Sequence, residues 1–136
     1  MRIVIDTNVL ISATFWTGKP KQLLNKVRRG QVTFITSETL LEELKEVLTR
    51  EDKPFKLSEE KAERVVTTMR DLAEIVQTKS HLTVCQDEMD NRVIECAIDG
   101  RPECIVSGDL HLLGLKSFKN VKIMTASEFL RDSERV

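Results

Sequence analysis

Four carboxylates stand where the sequence could use a carboxylate for chemistry: Asp6, Glu43, Asp90 and Asp109. Asp6 closes the apolar run Ile3, Val4, Ile5 in "RIVID". A continuous apolar run bounded by polar residues suits a strand covered on both faces. Open α/β sheets place their chemistry just outside the carboxyl ends of such strands, although an Asp there also serves as a helix N-cap. Asp109 repeats the arrangement after "CIVSG", with Gly108 able to turn tightly. Taken alone, Asp109 reads better as a turn residue. On a helical wheel of about 100° per residue, Asp90 falls within the stripe formed by Val93, Ile94, Ala97 and Ile98. A carboxylate on a core-facing stripe is costly without a partner. Asp90 could also cap its helix, but Asp87 stands three residues earlier to take that place. Glu43 lies about 40° outside the stripe of Leu40, Leu41, Leu44, Val47 and Leu48, nearer than Glu42 or Glu46. From that helix alone, a solvated flank is the better reading.

Gathered at one sheet edge, the four acquire a common purpose. Two unit charges about 4 Å apart repel by roughly 4 kcal/mol at an effective dielectric near 20. Crowded carboxylates therefore raise one another's pKa values and destabilise the fold. A divalent cation reverses that sign, and all-oxygen ligation with retained waters suits Mg²⁺ or Mn²⁺. Such ions bridge to phosphates, generate hydroxide and stabilise in-line displacement at phosphorus.

The elements that must position these acids alternate along the chain. Strands are expected at 2–5, 32–36, 82–84, 104–107 and 121–124. Helices are expected at 21–29 (Pro20 in its first turn, Gly30 as its stop), from Ser37 to about 50, over 58–77, over about 90–99 ending at Gly100, and after Thr125. "TASE" has a capping-box spacing. Strands separated by helices imply crossovers and a mainly parallel sheet of about five strands inside an α/β/α sandwich. "REDKPFK" (50–56) is too short to divide domains, so 1–136 reads as one domain.

Composition sets the outer bounds. Hydrophobic content of 40% and charged content of 32% over 136 residues describe a soluble globular chain. No apolar run exceeds three residues, so no membrane span is expected. The first residues enter a strand directly, without a signal peptide's apolar core, and Cys85, Cys96 and Cys104 lack a CxxC spacing. Both features suit reduced thiols in a cytoplasm. Net charge is −1, but residues 7–37 hold five cations (Lys19, Lys21, Lys26, Arg28, Arg29) and no acid. Residues 110–127 hold Lys116, Lys119 and Lys122, again without an acid. One side of the domain is therefore suited to phosphates, chance clustering being the alternative.

"RIVIDTNVLISA", "SETLLEELKEVL", "DEMDNRVIECAIDG" and "CIVSGDLHLL", in that order, resemble the PIN-domain nucleases. The resemblance is greatest to the toxin-like (VapC-like) group of prokaryotic toxin–antitoxin systems, and runs from about residue 2 to 130. It implies an acidic quartet at Asp6, Glu43, Asp90 and Asp109 that binds Mg²⁺ or Mn²⁺ and hydrolyses RNA phosphodiesters, leaving a 3′-hydroxyl. It also implies supporting roles for Asn8, bonded to Asp6 or a water, and for Ser107, orienting the last acid. Asn91 follows the third acid, as in many relatives. A homodimer and an antitoxin partner come with the resemblance. One departure is His111, where many relatives carry a further acid. The basic stretches, with Lys19, Lys21, Lys26, Arg28, Arg29 and Lys116, are expected to contact the RNA backbone. Phe15 and Trp16 are expected in a loop after Asp6, to stack on a base or anchor packing.

Three readings compete. A haloacid-dehalogenase-type phosphatase also begins with an Asp after its first strand, but needs a second Asp where this chain has Asn8. It also needs a later acid that is missing after "GD". A non-catalytic RNA- or partner-binding domain would not need the quartet intact. A zinc site from His81, Cys85 and His111 lacks a recognised ligand spacing.

Overall fold

The structure, a computed structural model, describes residues 1–85 and 87–133. The strands are β1 (Arg2–Ile5), β2 (Thr33–Thr36), β3 (Ala73–Ile75), β4 (Cys104–Val106), β5 (Ser117–Phe118) and β6 (Val121–Met124). The helices are α1 (Thr7–Phe15), α2 (Lys19–Arg28), α3 (Glu38–Leu48), α4 (Glu59–Leu72), α5 (Glu88–Gly100), α6 (Leu110–Leu115) and α7 (Ala126–Ser133). Side chains alternate faces along a strand, and this alternation sorts the core into two layers. Ile3, Ile5, Phe34, Cys104 and Val106 pack on one face against α1, α2, α3, α4 and α7. Val4, Ile35, Ile105 and Ile123 pack on the other against α5 and Leu112 of α6. The sheet runs β3-β2-β1-β4-β6-β5, parallel except for the short β5. The expected three-layer, mainly parallel architecture is therefore the one observed.

Local chemistry explains the helix ends. Pro20 lies in the first turn of α2, where its missing N–H costs nothing. Gly30 follows that helix at φ +75°, a conformation glycine adopts without strain. Ser37 and Ser58 cap α3 and α4 through their hydroxyls. At α7 the Thr125 N–H donates to Glu128 and the Glu128 N–H donates to Thr125 Oγ1, closing the expected capping box.

Three expectations are overturned. Residues 82–84 form no strand, and the third strand is instead Ala73–Ile75, inside the stretch whose spacing suggested helix to 77. Ala73 is extended (φ −94°, ψ 154°), and the chain pairs with β2 from there, Ala73 opposite Phe34 and Glu74 opposite Ile35. Two β-branched residues, Ile75 and Val76, favour that conformation. Apolar spacing over a single turn does not separate the two states. Finally, Phe15 and Trp16 are not loop residues: Phe15 ends α1 and Trp16 is its C-cap. The Phe15 ring stacks on Phe55 at 4.8 Å, and Trp16 meets both rings edge-on, so the pair anchors residues 50–57.

Candidate metal centre at the carboxyl edge of the sheet

From β1 the chain first builds outward to β2 and β3, then crosses back to place β4 on the other side of β1. That reversal leaves a crevice at the carboxyl ends of β1 and β4, the location where open α/β sheets bind ligands. Asp6 and Asp109 emerge there side by side, and the Asp6 N–H donates to Val106 O at 2.9 Å. Glu43 reaches the same edge from the second turn of α3, and Asp90 from the first turn of α5.

Each acid differs in what already occupies its oxygens. Asp6 sits at the N-cap position of α1, yet its side chain makes no capping bond. It is buried, and Ser107 Oγ donates to its Oδ2 at 2.8 Å. Burial raises its pKa, with the Asp109 and Asp87 charges adding to the rise. Asp109 does cap α6: its Oδ1 accepts from the His111 N–H at 2.7 Å and the Leu112 N–H at 3.4 Å. Asp87 caps α5 through the Met89 N–H, which frees Asp90 from that task. Asp90 is only 6% exposed, and its Oδ2 is buried without a hydrogen-bond partner among the described residues. Desolvation first, then the charges of Asp109, Asp87 and Asp6, push its pKa up to about 6. Glu43 is half-buried and accepts from Thr7 Oγ1 at 2.9 Å. Desolvation raises its pKa, and the Asp6 and Asp87 charges add to it.

The mutual influence of these charges places the acids in one electrostatic neighbourhood. The donors are all oxygen, one of them an orphan, and they repel each other at neutral pH. Those properties fit a hard divalent cation. Among the described residues, however, no three His, Cys, Asp or Glu side chains form a ready-made cage.

Sequence reasoning missed two participants. Thr7 is buried and donates the one side-chain bond that Glu43 receives among the described residues. Asp87 figured only as a cap, yet its charge acts on Asp6, Glu43 and Asp90. The one signal for Thr7 in the sequence was its place directly after Asp6. Ser107 contacts two acids: it donates to Asp6 and accepts from the Asp109 N–H at 3.0 Å. Asn8, by contrast, is exposed and has no bond to Asp6. It lines a cleft of about 390 Å³ with Lys19, Ser107, Gly108 and Asp109.

The basic stretch divides. Lys19 borders the cleft beside Asp109, but α2 leads away, since nine further residues rise about 14 Å. Lys26 lines a different cavity with Met1 and Gln31, at the amino edge of the sheet. Arg28 and Arg29 are exposed at that distal end of α2, and Lys21 is half-buried near its start. Lys122 also lies at the amino edge, beside Met1 and Glu103. Lys116 is exposed after α6, and its carbonyl accepts from the Ile123 N–H. A single basic face surrounding the acids is therefore not what the fold builds.

The PIN-domain profile matches residues 2–111, a span that holds all four acids, and the chain belongs to that family. An uncharacterized protein of Methanocaldococcus jannaschii is 26% identical over 145 residues, spanning 99% of this chain and 93% of that relative. Among solved structures, VapBC2 from Rickettsia felis, bound to a DNA fragment from its promoter, matches with a TM-score of 0.62 at 14% identity. That match covers 90% of this chain and 97% of the other, and the likeness is one of fold. No helix among the described residues is long and apolar enough to cross a membrane.

Proposed function

We propose that this chain is a Mg²⁺- or Mn²⁺-dependent endoribonuclease, the toxin of a type II toxin–antitoxin pair, working as one cytoplasmic domain. The observation that carries the reading is the buried, unpartnered Asp90 Oδ2, set among acids whose charges oppose one another. A fold has no structural use for that combination, and a divalent cation satisfies all of it at once. The PIN family supplies nuclease chemistry, and the fold shared with VapBC2 supports an antitoxin partner. A homodimer follows from the family resemblance alone.

Asp6, Asp90 and Asp109 would hold the ion directly or through water, with Glu43 completing the shell or orienting the nucleophile. When bound, the ion lowers the pKa of water and neutralises charge on the phosphate. Ser107 fixes the rotamer of Asp6, and Thr7 fixes that of Glu43. Glu43, at the half-buried rim, orients the attacking water and takes its proton. Lys19 neutralises a neighbouring substrate phosphate across the cleft it shares with Asp109. Oxygen from water bonds to phosphorus as the bond to the 3′-oxygen breaks; the water's proton passes to Glu43, and the departing 3′-oxygen takes a proton from solvent. The test is Mn²⁺-dependent cleavage of a random-sequence RNA pool by the wild type and by Glu43→Gln. Cleavage abolished by both chelator and Glu43→Gln is expected; equal cleavage by the two proteins would refute the assignment.

A further inference from the structure

A second cleft, of about 430 Å³, is lined by Val84, Cys85, Asp87, His111 and Leu115. It adjoins the acids, because the Cys85 thiol lies within the fields of Asp90, Asp109 and Asp87. One wall is the irregular segment 79–85, which was expected to contain a strand. It has no ladder of its own, yet it is fixed by side chains spaced four apart along α5. Asp99 accepts from the Lys79 and Ser80 N–H groups and from Ser80 Oγ. Buried Glu95 accepts from the Leu82 N–H at 2.7 Å and from Arg92, whose guanidinium also donates to Leu82 O. Asn91 clamps Cys85 from both directions, its Oδ1 accepting from the N–H at 2.6 Å and its Nδ2 donating to the carbonyl at 2.9 Å.

The segment fixed in this way presents Val84 to solvent. Val84, Leu110 and Leu115 are three of six large apolar side chains left exposed among the described residues. Two of them line this cleft and the third lies on the helix that forms its far wall. Exposed apolar surface concentrated at one place marks a binding site. The cleft has the size of a small-molecule site and combines apolar side chains, Val84 and Leu115, with the polar groups of Cys85, Asp87 and His111. An unstacked nucleobase has the matching chemistry: apolar faces and a hydrogen-bonding rim. We propose that this cleft seats one splayed base of the substrate next to the scissile phosphate, with Asp87 reading an exocyclic amino group. Asp87 spends Oδ1 on the Met89 N–H, which leaves its other oxygen to accept. Adenine, guanine and cytosine carry such a donor, and uracil does not.

The position of the base relative to the scissile phosphate rests on the nuclease reading, whereas occupancy of the cleft does not. The experiment follows backbone amide shifts of the full chain as adenosine, guanosine, cytidine or uridine is added, in chelator and without cleavage. Shifts centred on Val84, Cys85 and Leu115 are expected, with uridine about fivefold weaker than the amino-bearing nucleosides, the value of one hydrogen bond. Leu115→Trp, which fills the cleft, and Val84→Arg, on the opposite wall, should each weaken binding about tenfold. Their amide spectra report directly whether each variant is folded. Absent shifts, shifts elsewhere, or shifts unchanged in a folded variant would overturn the seat. Equal binding of uridine would overturn the role given to Asp87. If these shifts occur in a chain that does not cleave RNA, the nuclease reading falls and the seat stands. If Glu43-dependent cleavage occurs without them, the seat falls alone.

Discussion

Replacing Asp90 with Asn should make the metal-free protein more stable at neutral pH, although it alters a buried residue of the proposed site. The folded-state pKa of Asp90 is about 6 against an ordinary 3.8, a rise of roughly two units. At 1.36 kcal/mol per unit, the ionised group costs the fold about 3 kcal/mol. Because the folded value is the higher one, this cost is fully present above pH 6 to 7 and absent below about pH 4. Asn keeps the shape and removes the charge, but its amide is left with an unmet donor, a cost of about 1 kcal/mol at every pH. The net expectation is a gain of about 2 kcal/mol at pH 8, close to 8 °C in Tm for a chain of this length. Near pH 4 the sign reverses, and Asp90→Asn is less stable by about 1 kcal/mol. Urea unfolding in chelator across pH 4 to 8 measures the difference directly. A variant less stable than wild type at pH 8, or a difference that does not change with pH, would refute the reasoning.

Ser107→Ala leaves both Asp6 Oδ2 and the Asp109 N–H without their partner, so stability should fall by about 1–3 kcal/mol in urea unfolding. Glu95→Ala strands the half-buried Arg92 and frees the Leu82 amide. It should cost about 2 kcal/mol and speed hydrogen exchange at Leu82 ahead of the core strands. Lys19→Ala should weaken binding to RNA and reduce the slope of log affinity against log salt by somewhat under one, whereas Lys26→Ala should leave that slope unchanged.

The parts of this molecule legible from sequence were those fixed by strong local physics. An apolar run ending in Asp is a strand leading to the carboxyl edge, and it is so twice, at Asp6 and Asp109. The placement of Asp90 on a buried stripe could be seen because helical geometry is regular. The role of Asp87 as cap followed from its spacing. Ala73–Ile75 was misread because a three-residue strand against β2 is stabilised by its partner, which is distant in sequence. The strand expected at 82–84 was misread for a related reason, within the segment 79–85. The segment's hydrogen bonds are supplied by Asn91, Glu95 and Asp99, acids and amides that read locally as the polar face of a helix. The basic stretch 19–29 looked like one patch because charge was counted along the chain, whereas α2 carries its two ends to opposite edges of the sheet.

The central claim is that Asp6, Glu43, Asp90 and Asp109 act together to hold a divalent cation, and Mn²⁺ binding followed by electron paramagnetic resonance tests it without reference to RNA. The wild type should take up Mn²⁺ at neutral pH and lose it progressively as pH falls through the raised carboxyl range. Asp6→Asn should weaken the site by about tenfold or more. Asp90→Asn should do the same while remaining folded. Binding unchanged in both variants, or no binding by the wild type, would contradict the account.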